Sequence, residues 1–477
     1  MSKKFYLTTT LPYVNADPHI GFALEIVQAD AIARYHKLLG NEVIFNFGTD
    51  EHGLKIYRKA REQGKNPQDY CDEYAQKWSK LKDALNLSYT NFIRTTDKRH
   101  IKAAEEFWKR CLKNGDIYEK EYETKYCVGC ELEKSDSELE NGRCPLHPNL
   151  ELEIFKEDNY FFRFTNYQNK LLKFYEAHPK FVIPETKFNE IKTFVKDGLQ
   201  DFSISRVKSK MPWGVDVPDN KEQVMYVWFE ALTSYISTLG WPDSPEFSEW
   251  WGTKEQTNAV QVAGKDNLRQ QTAIWQAMLM SAGLPNSKQV FIHGFVTTEG
   301  QKISKSLGNV VDPFALVKKH GTDAVRYYLL REIPSYSDGD FSERRFKELY
   351  NADLANGLGN LVARVAKLLE IHKPLYEDEK INDFSPYINY AIENFKFDEG
   401  LNAVWIHIKN LDRLLDEWKP WSDSGIRASV RWNELVRGIR QIAFDLQPFL
   451  PQTAEKIQKQ FAGPHITSGP PLFPRLV

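Results

Sequence analysis

Three cysteines and one histidine have the types and the spacing of a zinc site. Two residues separate Cys127 from Cys130 and Cys144 from His147, and 13 residues lie between the two pairs. Thiolate sulfur and imidazole nitrogen are ligands that Zn²⁺ prefers, and four protein ligands complete a tetrahedral shell. The pattern predicts one structural zinc ion, because no coordination position stays open for a reacting molecule. Three unrelated buried thiols and a surface histidine are the alternative interpretation.

Two further groups of residues have the chemistry of a phosphate site. His19 and Gly21 stand where a strand-like run ends and an apolar helical pattern begins. A helix N-terminus presents amides and a positive dipole end to an anion, and a glycine lets the ligand approach closely. Lys302 and Lys305 share one loop with two serines, and mobile ammonium groups can neutralise charge on a transferring phosphate. Each group alone would more often be a turn or a solvated basic loop, but together they predict chemistry on a polyphosphate.

The elements that must position these residues divide the chain into five segments. Residues 1–115 show a βαβ pattern, and residues 226–295 resume it. Residues 116–225 are short, charged and rich in loops, which indicates an insertion between the two halves of one sheet. Residues 296–345 carry the lysine loop and a linking region, and residues 346–477 have the periodicity of a helix bundle. The predicted fold class is α/β, a Rossmann-type parallel sheet split by the insertion and followed by helices.

Polar residues at the predicted strand ends are further candidates for a site. Asp50 follows the apolar strand that begins at Glu42, and Gly264 and Asp266 follow a strand over residues 259–263. Open α/β sheets bind ligands at the carboxyl ends of their parallel strands. An aromatic segment, Val224–Ile236, is predicted to be helical, with an aromatic stripe on one face.

Composition limits the class of protein. The chain has 477 residues, 42% of them hydrophobic, and a formal net charge of −2, which excludes a broadly basic nucleic-acid coat. No 18-residue apolar run is present, so we expect no membrane span. Five cysteines, three of them in the metal pattern, favour a reducing compartment over a disulfide framework. A predicted strand begins within the first five residues, which leaves no room for a signal peptide and favours a cytoplasmic protein.

The two distant motifs resemble a known pair. Pro18-His19-Ile20-Gly21-Phe22 and Lys302-Ile303-Ser304-Lys305-Ser306 are similar to the HIGH and KMSKS signatures of class I aminoacyl-tRNA synthetases. The chain as a whole resembles the methionyl-tRNA synthetases of that class. The resemblance implies ATP-dependent ligation of methionine to tRNA(Met) through a methionyl-adenylate, with Mg²⁺ bound to the ATP, and a helical anticodon-binding domain. It also implies a zinc knuckle in the connective insertion, and we expect a monomer.

The resemblance assigns roles to individual residues. The catalytic residues would be His19, Lys302 and Lys305. The ATP-binding residues would be His19, Gly21, Gly264, Asp266 and Lys305. The amino-acid pocket would comprise Leu11, Tyr13, Asp50, Arg206, Trp228, Ala231, Tyr235 and Gln271. The anticodon-binding residues would be Asn360, Arg364 and Trp421, and the metal ligands Cys127, Cys130, Cys144 and His147.

Five positions depart from the family pattern, and the mildest departure is Ile303 in place of methionine in the lysine loop. Phe22 replaces the second histidine of HIGH, and Leu54 stands where a polar residue is common. Asn267 and Gln271 replace an apolar residue and a histidine beside the pocket, and each buried amide without partners would cost roughly 1–3 kcal/mol. These departures leave two alternatives, a non-catalytic tRNA-binding paralogue and a class I synthetase with altered amino-acid specificity.

Overall fold

A computed structural model describes residues 3–130, 132–134, 138–303, 308–374, 376, 379–420, 426–463 and 465–476, without the side chains of 122–124, 132–133, 155–157, 302 and 426–429. The chain forms two compact units. The first comprises Met1–Asp17, Glu42–Lys80 and Tyr89–Ile292, and the second comprises Pro18–Asn41, Leu81–Ser88 and His293–Val477.

The strands, in chain order, are β1 Lys4–Thr9, β2 Glu42–Thr49, β3 Asn91–Arg94, β4 Ile117–Cys127, β5 Leu132–Lys134, β6 Glu153–Phe162, β7 Val182–Ile183, β8 Phe202–Ser203, β9 Ser205–Val207, β10 Asp216–Val217, β11 Asn220–Met225, β12 Val260–Gly264, β13 Gln289–His293, β14 Val296–Thr298, β15 Gln301–Lys302 and β16 Gly339–Phe341.

The α-helices are α1 Ile20–Leu38, α2 Leu54–Glu62, α3 Pro67–Ser79, α4 Leu81–Ala84, α5 Lys98–Lys113, α6 Gln168–Ala177, α7 Glu185–Lys196, α8 Val227–Ala231, α9 Ser234–Ser237, α10 Phe247–Trp251, α11 Trp275–Ser281, α12 Pro313–His320, α13 Thr322–Arg331, α14 Glu343–Leu349, α15 Asn360–His372, α16 Pro386–Glu393, α17 Phe397–Trp418, α18 Ile426–Leu446 and α19 Pro451–Gln460. Short 3₁₀ turns and π-helical segments lie between some of them. None of the helices in the described part of the chain has the length and hydropathy to span a bilayer.

The first unit is built on a six-stranded parallel sheet with strand order β3-β2-β1-β12-β13-β7. β1 pairs with β12 in parallel, with Leu7 opposite Val260. Two strands that are some 250 residues apart in sequence are therefore neighbours at the centre of the sheet. Strands buried on both faces form from continuous apolar runs, and every residue of β12 is buried. The prediction of one parallel sheet interrupted by an insertion is confirmed.

The insertion forms antiparallel structure within the first unit. β4 and β6 are a long hairpin paired from Ile117 opposite Phe162 to Tyr126 opposite Glu153. They belong to a sheet of order β5-β4-β6-β8, and a smaller sheet has order β10-β11-β9.

One prediction is wrong in part. The segment 224–236 was expected to be helical throughout, but β11 extends to Met225, and α8 and α9 are separated at Leu232 and Thr233. Aromatic and β-branched residues are common in strands, so composition does not exclude a strand at the start of this segment. Antiparallel pairing of Val224 and Met225 with β9 makes that part a strand.

The second unit is largely helical. α1 is buried along most of its length, including the polar residues Glu25 and Asp30. It packs against α13 and α16, and α17 packs against α13, α16 and α18. β14, β15 and β16 form a small sheet that carries the start of the lysine loop. The predicted helical C-terminal region is confirmed.

Candidate functional site

The four predicted metal ligands converge in the first unit. Their donor atoms all lie within 4.8 Å of one another. Cys130 Sγ is 3.5 Å from Cys144 Sγ and 3.1 Å from His147 Nδ1, and Cys127 Sγ is 3.8 Å from the same nitrogen. A tetrahedral Zn²⁺ with bonds of about 2.3 Å to sulfur separates its ligand atoms by roughly 3.8 Å. The donor set and its spacing fit zinc, and the prediction that these residues form a candidate zinc site is confirmed.

Gly129 allows the histidine to reach this position. A Cβ atom at Gly129 would lie 2.5 Å from Cδ2 of His147, a distance that real Cβ contacts essentially never show. Any residue other than glycine at position 129 would therefore displace the ring of His147. The backbone carbonyl of Gly129 also accepts a hydrogen bond from Lys55 Nζ at 3.2 Å, which ties the knuckle to α2.

Asp50 lies against the loop that follows β1. Its amide donates to the carbonyl of Pro12 at 3.0 Å, and its carbonyl accepts from the amide of Val14 at 3.2 Å. Tyr13 and Asp50 form a parallel bridge, so these two predicted site residues are neighbours. Asp50 is buried, and Leu11 and Tyr13 are half-buried. The first loop and the end of β2 thus meet at the carboxyl edge of the sheet.

Glu51 anchors one side of the loop that carries Asp50. The Glu51 side chain is completely buried. Arg94 donates to both of its carboxylate oxygens at 2.7 and 2.9 Å, and the hydroxyls of Thr49 and Thr96 donate at 2.6 and 2.5 Å. The indole of Trp213 donates to its backbone carbonyl. A carboxylate that accepts four hydrogen bonds, two of them from a guanidinium, is held in one place.

His52 anchors the other side. Its Nδ1 lies 3.0 Å from Oε1 of Glu230, and His100 Nε2 lies 2.6 Å from Oε2 of the same carboxylate. All three side chains are buried. Burial alone would raise the pKa of Glu230, but the two imidazoles outweigh burial and hold that pKa below its usual value of 4.5. Glu230 therefore joins the Asp50 loop to α8 and α5.

The predicted pocket residues on β9 and α8 lie in one cluster. Tyr13, Trp228 and Ala231 pack against a small core that includes Tyr226. The guanidinium carbon of Arg206 lies 4.4 Å from the ring centroid of Tyr226, and Arg206 donates to Ser203 Oγ at 2.7 Å.

Gln271 and Tyr235 are in direct contact. Gln271 lies in a π-helical segment, Gln270–Ile274, and its Nε2 donates to Tyr235 Oη at 2.6 Å. Its Oε1 accepts from Gln261 Nε2 at 2.7 Å. Both ends of this buried amide have partners, so the cost of an unsatisfied amide does not arise. Asn267 donates to Asp266 at 3.2 Å.

His19 and Gly21 lie at the start of α1 in the second unit. Nδ1 of His19 accepts from the amide of Gly21 at 3.1 Å, which makes His19 the N-cap. The amide of Ile20 donates to the carbonyl of Val311, and the amides of Phe22 and Ala23 donate to the carbonyl of His19. The helix amides are thus hydrogen-bonded within the protein, and the helix dipole and the histidine ring are what this end offers to an anion.

The remaining predicted residues divide between described and undescribed positions. Gly264 ends β12, and Asp266 lies exposed in the 3₁₀ turn after it. Ser304–Leu307, which includes Lys305, lies outside the described residues, and so do Trp421 and the side chain of Lys302. Asn360 is exposed at the start of α15. Arg364 pairs with Asp412 and Asp416, each at 2.8 Å.

Sequence reasoning missed the polar residues, all but Arg94 buried, that support the predicted pocket residues: Glu51, His52, Arg94, His100, Glu230 and Gln261. Two of them gave a signal. Glu230 interrupts an aromatic helical run, and Gln261 stands in the middle of an apolar strand. A buried polar residue needs partners, so each predicts a hydrogen-bond network. The identity of the partners could not be predicted, because they lie on other elements.

Comparison with known proteins identifies the family. Residues 5–151 and 133–366 match the family model described as tRNA synthetases class I (M). The methionine–tRNA ligase of Nostoc sp. is 42% identical over 485 residues, which cover 96% of this chain and 90% of that protein. The chloroplastic/mitochondrial methionine–tRNA ligase of Arabidopsis thaliana is also 42% identical, over 96% of this chain and 77% of that protein.

A solved structure agrees over the same length. The Mycobacterium tuberculosis methionyl-tRNA synthetase in complex with methionyl-adenylate has a TM-score of 0.90 and 34% identity, covering 99% of this chain and 100% of that chain. The apo form of the same enzyme has a TM-score of 0.82. With the parallel sheet, the zinc-type knuckle and the helical C-terminal region in place, the chain belongs to the methionyl family of class I aminoacyl-tRNA synthetases.

Proposed function

We infer that this protein is a methionine–tRNA ligase that forms methionyl-adenylate from methionine and ATP and transfers the methionyl group to tRNA(Met). The observation that carries this function is the agreement over 99% of the chain, at a TM-score of 0.90, with a methionyl-tRNA synthetase bound to methionyl-adenylate.

The first step needs positioning and charge neutralisation more than acid–base catalysis. The methionine carboxylate attacks the α-phosphate of ATP, and pyrophosphate leaves. A carboxylate is already ionised and nucleophilic at pH 7, so no general base is required. Phosphoryl chemistry of this kind depends on holding the reactants in line and stabilising the charge that develops. In the second step a hydroxyl of the tRNA 3′-terminal adenosine attacks the acyl carbon, and AMP leaves.

In the first unit, Asp50 would bind the substrate ammonium group. A buried carboxylate on a fixed loop is suited to an ammonium ion, because desolvation strengthens the attraction between them. Leu11, Tyr13, Trp228, Ala231 and Tyr235 would surround the side chain, since a flexible thioether packs well against aromatic edges. Gly264 and Asp266 would bind the ribose of ATP. Gln271 would act through Tyr235, which it contacts directly.

In the second unit, His19 would contact the phosphates through Nε2. Because Nδ1 accepts from a backbone amide, a neutral imidazole carries its hydrogen on Nε2 and offers it as a donor. Lys302 and Lys305 would stabilise the leaving pyrophosphate, and Mg²⁺ would shield the remaining phosphate charge.

The knuckle and the helices have separate roles. Cys127, Cys130, Cys144 and His147 would bind one structural Zn²⁺, which supplies local folding energy and no chemistry. Asn360, Arg364 and Trp421 would read the anticodon by side-chain hydrogen bonds and stacking. Arg364 is held by two aspartates, so its guanidinium is oriented before any base arrives. A monomer and a cytoplasmic location stay predictions; light scattering tests the first, and localisation of the tagged protein tests the second.

The test is ATP–pyrophosphate exchange with each of the twenty amino acids supplied singly, followed by charging of tRNA(Met). Exchange that depends on methionine alone is the expected result. Exchange with a different amino acid would show altered specificity within class I. Folded protein that binds tRNA and gives no exchange would support the non-catalytic paralogue.

A further inference from the structure

A buried carboxylate on α1 is hydrogen-bonded to a buried imidazole at the end of β13. Oε2 of Glu25 lies 3.0 Å from Nε2 of His293, and the two residues are 4% and 5% exposed. Nδ1 of His293 lies 2.7 Å from the carbonyl of Gly294, which can only accept, so this nitrogen carries a hydrogen. Both nitrogens of the ring are hydrogen-bonded, which fixes its orientation.

The chain that follows His293 is closely packed. A Cβ atom at Gly294 would lie 2.2 Å from the backbone carbon of Ser337, so the two backbone segments are in contact. The amide of the next residue, Phe295, donates to Oδ1 of Asp338 at 2.9 Å, and β14 then pairs in parallel with β16. The start of β14 is therefore held from two sides, by His293 and by the segment that leads into β16.

β14 and β15 form a hairpin that leaves no slack before Lys302. Thr298 lies opposite Gln301, so only two residues form the turn between the strands. Both of these residues, 299 and 300, have positive φ, as a tight two-residue hairpin turn requires. Such a turn fixes the register of the two strands, and the backbone position of Lys302 follows from that of β14.

The chain after the lysine loop is also bonded to α1. The carbonyl of Val311 accepts from the amide of Ile20 at 3.0 Å. Ile20 is the first residue of α1, and Glu25 lies five residues further on, about 7.5 Å along the helix axis. α1 therefore holds the chain on both sides of the lysine loop, through a side chain before it and a backbone amide after it.

We propose that Glu25 and His293 are positioning residues for the phosphate chemistry, because their hydrogen bond sets the backbone of Lys302 relative to His19 at the start of α1. This inference rests on the proposed function. Charge on the leaving pyrophosphate is stabilised best when groups from both elements reach it at once, and a misplacement of about 1 Å lowers a rate by roughly 10²-fold. Neither Glu25 nor His293 has to touch the substrate in this role.

The experiment measures methionine-dependent ATP–pyrophosphate exchange, with each rate divided by the concentration of active sites that form adenylate. Glu25→Gln keeps a hydrogen bond, because its amide donates to Nε2 of a neutral His293, and kcat should remain close to that of the unmodified protein. Glu25→Leu removes the bond, and kcat should fall by roughly 10- to 100-fold. The KM for methionine should be unchanged, since the residues proposed to bind methionine lie in the first unit.

The double variant Glu25→Leu with His293→Leu separates positioning from stability. Replacing both partners by apolar groups leaves no polar group unsatisfied, so the urea midpoint should recover relative to Glu25→Leu alone. The kcat should stay low, because the bond is still missing, and this variant carries the test where Glu25→Leu does not fold. A kcat that recovers together with the midpoint, or an unchanged kcat in Glu25→Leu, would overturn the inference.

The matched control is Tyr35→Phe, on the same helix. Tyr35 is buried, and its hydroxyl lies 3.0 Å from Oδ1 of Asn389 on α16, so it joins α1 to another element far from His19. Its kcat should equal that of the unmodified protein. A fall as large as that of Glu25→Leu would overturn the inference, because any weakened contact of α1 would then have the same effect. If the unmodified protein shows no methionine-dependent exchange, the proposed function fails first and the inference with it.

Discussion

At the scale of single residues, Gly129 allows the knuckle to form, because its lack of a side chain leaves room for the imidazole of His147 beside the three cysteines. Gly129→Ala would force the imidazole of His147 away from the three sulfurs, because the new Cβ would overlap the ring. We expect zinc affinity to fall by roughly tenfold or more, as it does when the groups that support metal ligands are disturbed. Competition with a chelator, followed by measurement of bound zinc, gives the affinity.

The control for this substitution is Gly463→Ala, where an added Cβ meets no atom within 4 Å. Its zinc affinity should equal that of the unmodified protein. Equal affinities in both variants would contradict the role given to Gly129.

His19 has two separable tasks, capping α1 and contacting phosphate. His19→Asn keeps the cap, since asparagine is among the preferred N-cap residues, so the unfolding free energy should change by only about 0.5 kcal/mol. It removes the Nε2 donor, and we expect methionine-dependent exchange to fall roughly 10²- to 10³-fold. Urea unfolding and exchange, measured on the same preparation, separate the two effects. Near-normal exchange would show that His19 serves only as a cap.

Individual residues could be predicted where their partners are close in sequence. The metal ligands were found because two-residue spacing brings each pair together whatever the rest of the chain does. Gln261 was missed, although a glutamine between two valines in a buried strand indicates that its amide has a buried hydrogen-bond partner. That partner, Gln271, lies beyond a turn and inside a π-helical segment, and no local periodicity reports its position.

At the scale of elements, Glu230 links the loop before α2 to α5 and α8. Because its pKa is held below 4.5, the carboxylate stabilises the fold above that pH, and this stabilisation is lost as pH falls through the lowered value. Glu230→Gln should reduce the unfolding free energy by about 1–3 kcal/mol at pH 7. The difference from the unmodified protein should shrink as the pH falls below 4.5. Urea midpoints at roughly pH 7, 5 and 3 would show this.

A matched control for the pH series is Glu417→Gln, because Glu417 is 71% exposed. Its difference from the unmodified protein should stay near zero at every pH. A Glu230→Gln difference that grows on acidification would contradict the assigned direction of the pKa.

α1 and α13 are joined by a buried ion pair. Arg326 Nη1 lies 2.8 Å from Asp30 Oδ2, and both side chains are completely buried. Arg326 also donates to three backbone carbonyls. Asp30→Asn would leave a buried guanidinium without its counter-ion, and we expect a loss of about 3–5 kcal/mol in the unfolding free energy.

The comparison for this pair is Asp243→Asn. Asp243 pairs with Lys102 at the surface, with exposures of 65% and 62%. An exposed pair contributes about 0–1 kcal/mol, so this variant should be almost unchanged. If urea unfolding gave similar losses of unfolding free energy for Asp30→Asn and Asp243→Asn, the claim that burial strengthens the Asp30–Arg326 pair would be wrong.

Secondary-structure elements were predicted well where a single apolar run or a single apolar helix face determines the structure. The strand expected from Glu42 extends to Thr49, and the apolar helix expected at His19 and Gly21 begins at Ile20. The segment over residues 224–236 was wrong in part, because the strand at its start is stabilised by pairing with β9 rather than by its own composition. Propensity fixes an element only where tertiary contacts do not compete with it.

At the scale of the whole molecule, the assembly of one parallel sheet from two separated segments of the chain could be anticipated, but the grouping of α1 could not. Its periodicity predicts an apolar helix between two strands, and says nothing about which residues cover it. Its contacts are with α13 and α16, so it belongs to the second unit. The domain boundaries predicted after residues 115, 225, 295 and 345 stay predictions, and limited proteolysis would test them.

The pairing of Asp30 with Arg326 also delays the completion of α1 during synthesis, because the two residues are far apart in sequence. The ribosome makes α1 well before α13, because Arg326 follows Asp30 by 296 residues. At roughly 5–20 residues per second, the nascent helix waits about 15–60 s for the side chain that neutralises its buried aspartate. During that interval α1 is an apolar segment without its native cover, which is the kind of surface that chaperones bind. A helix that is made early in synthesis therefore acquires its native contacts late.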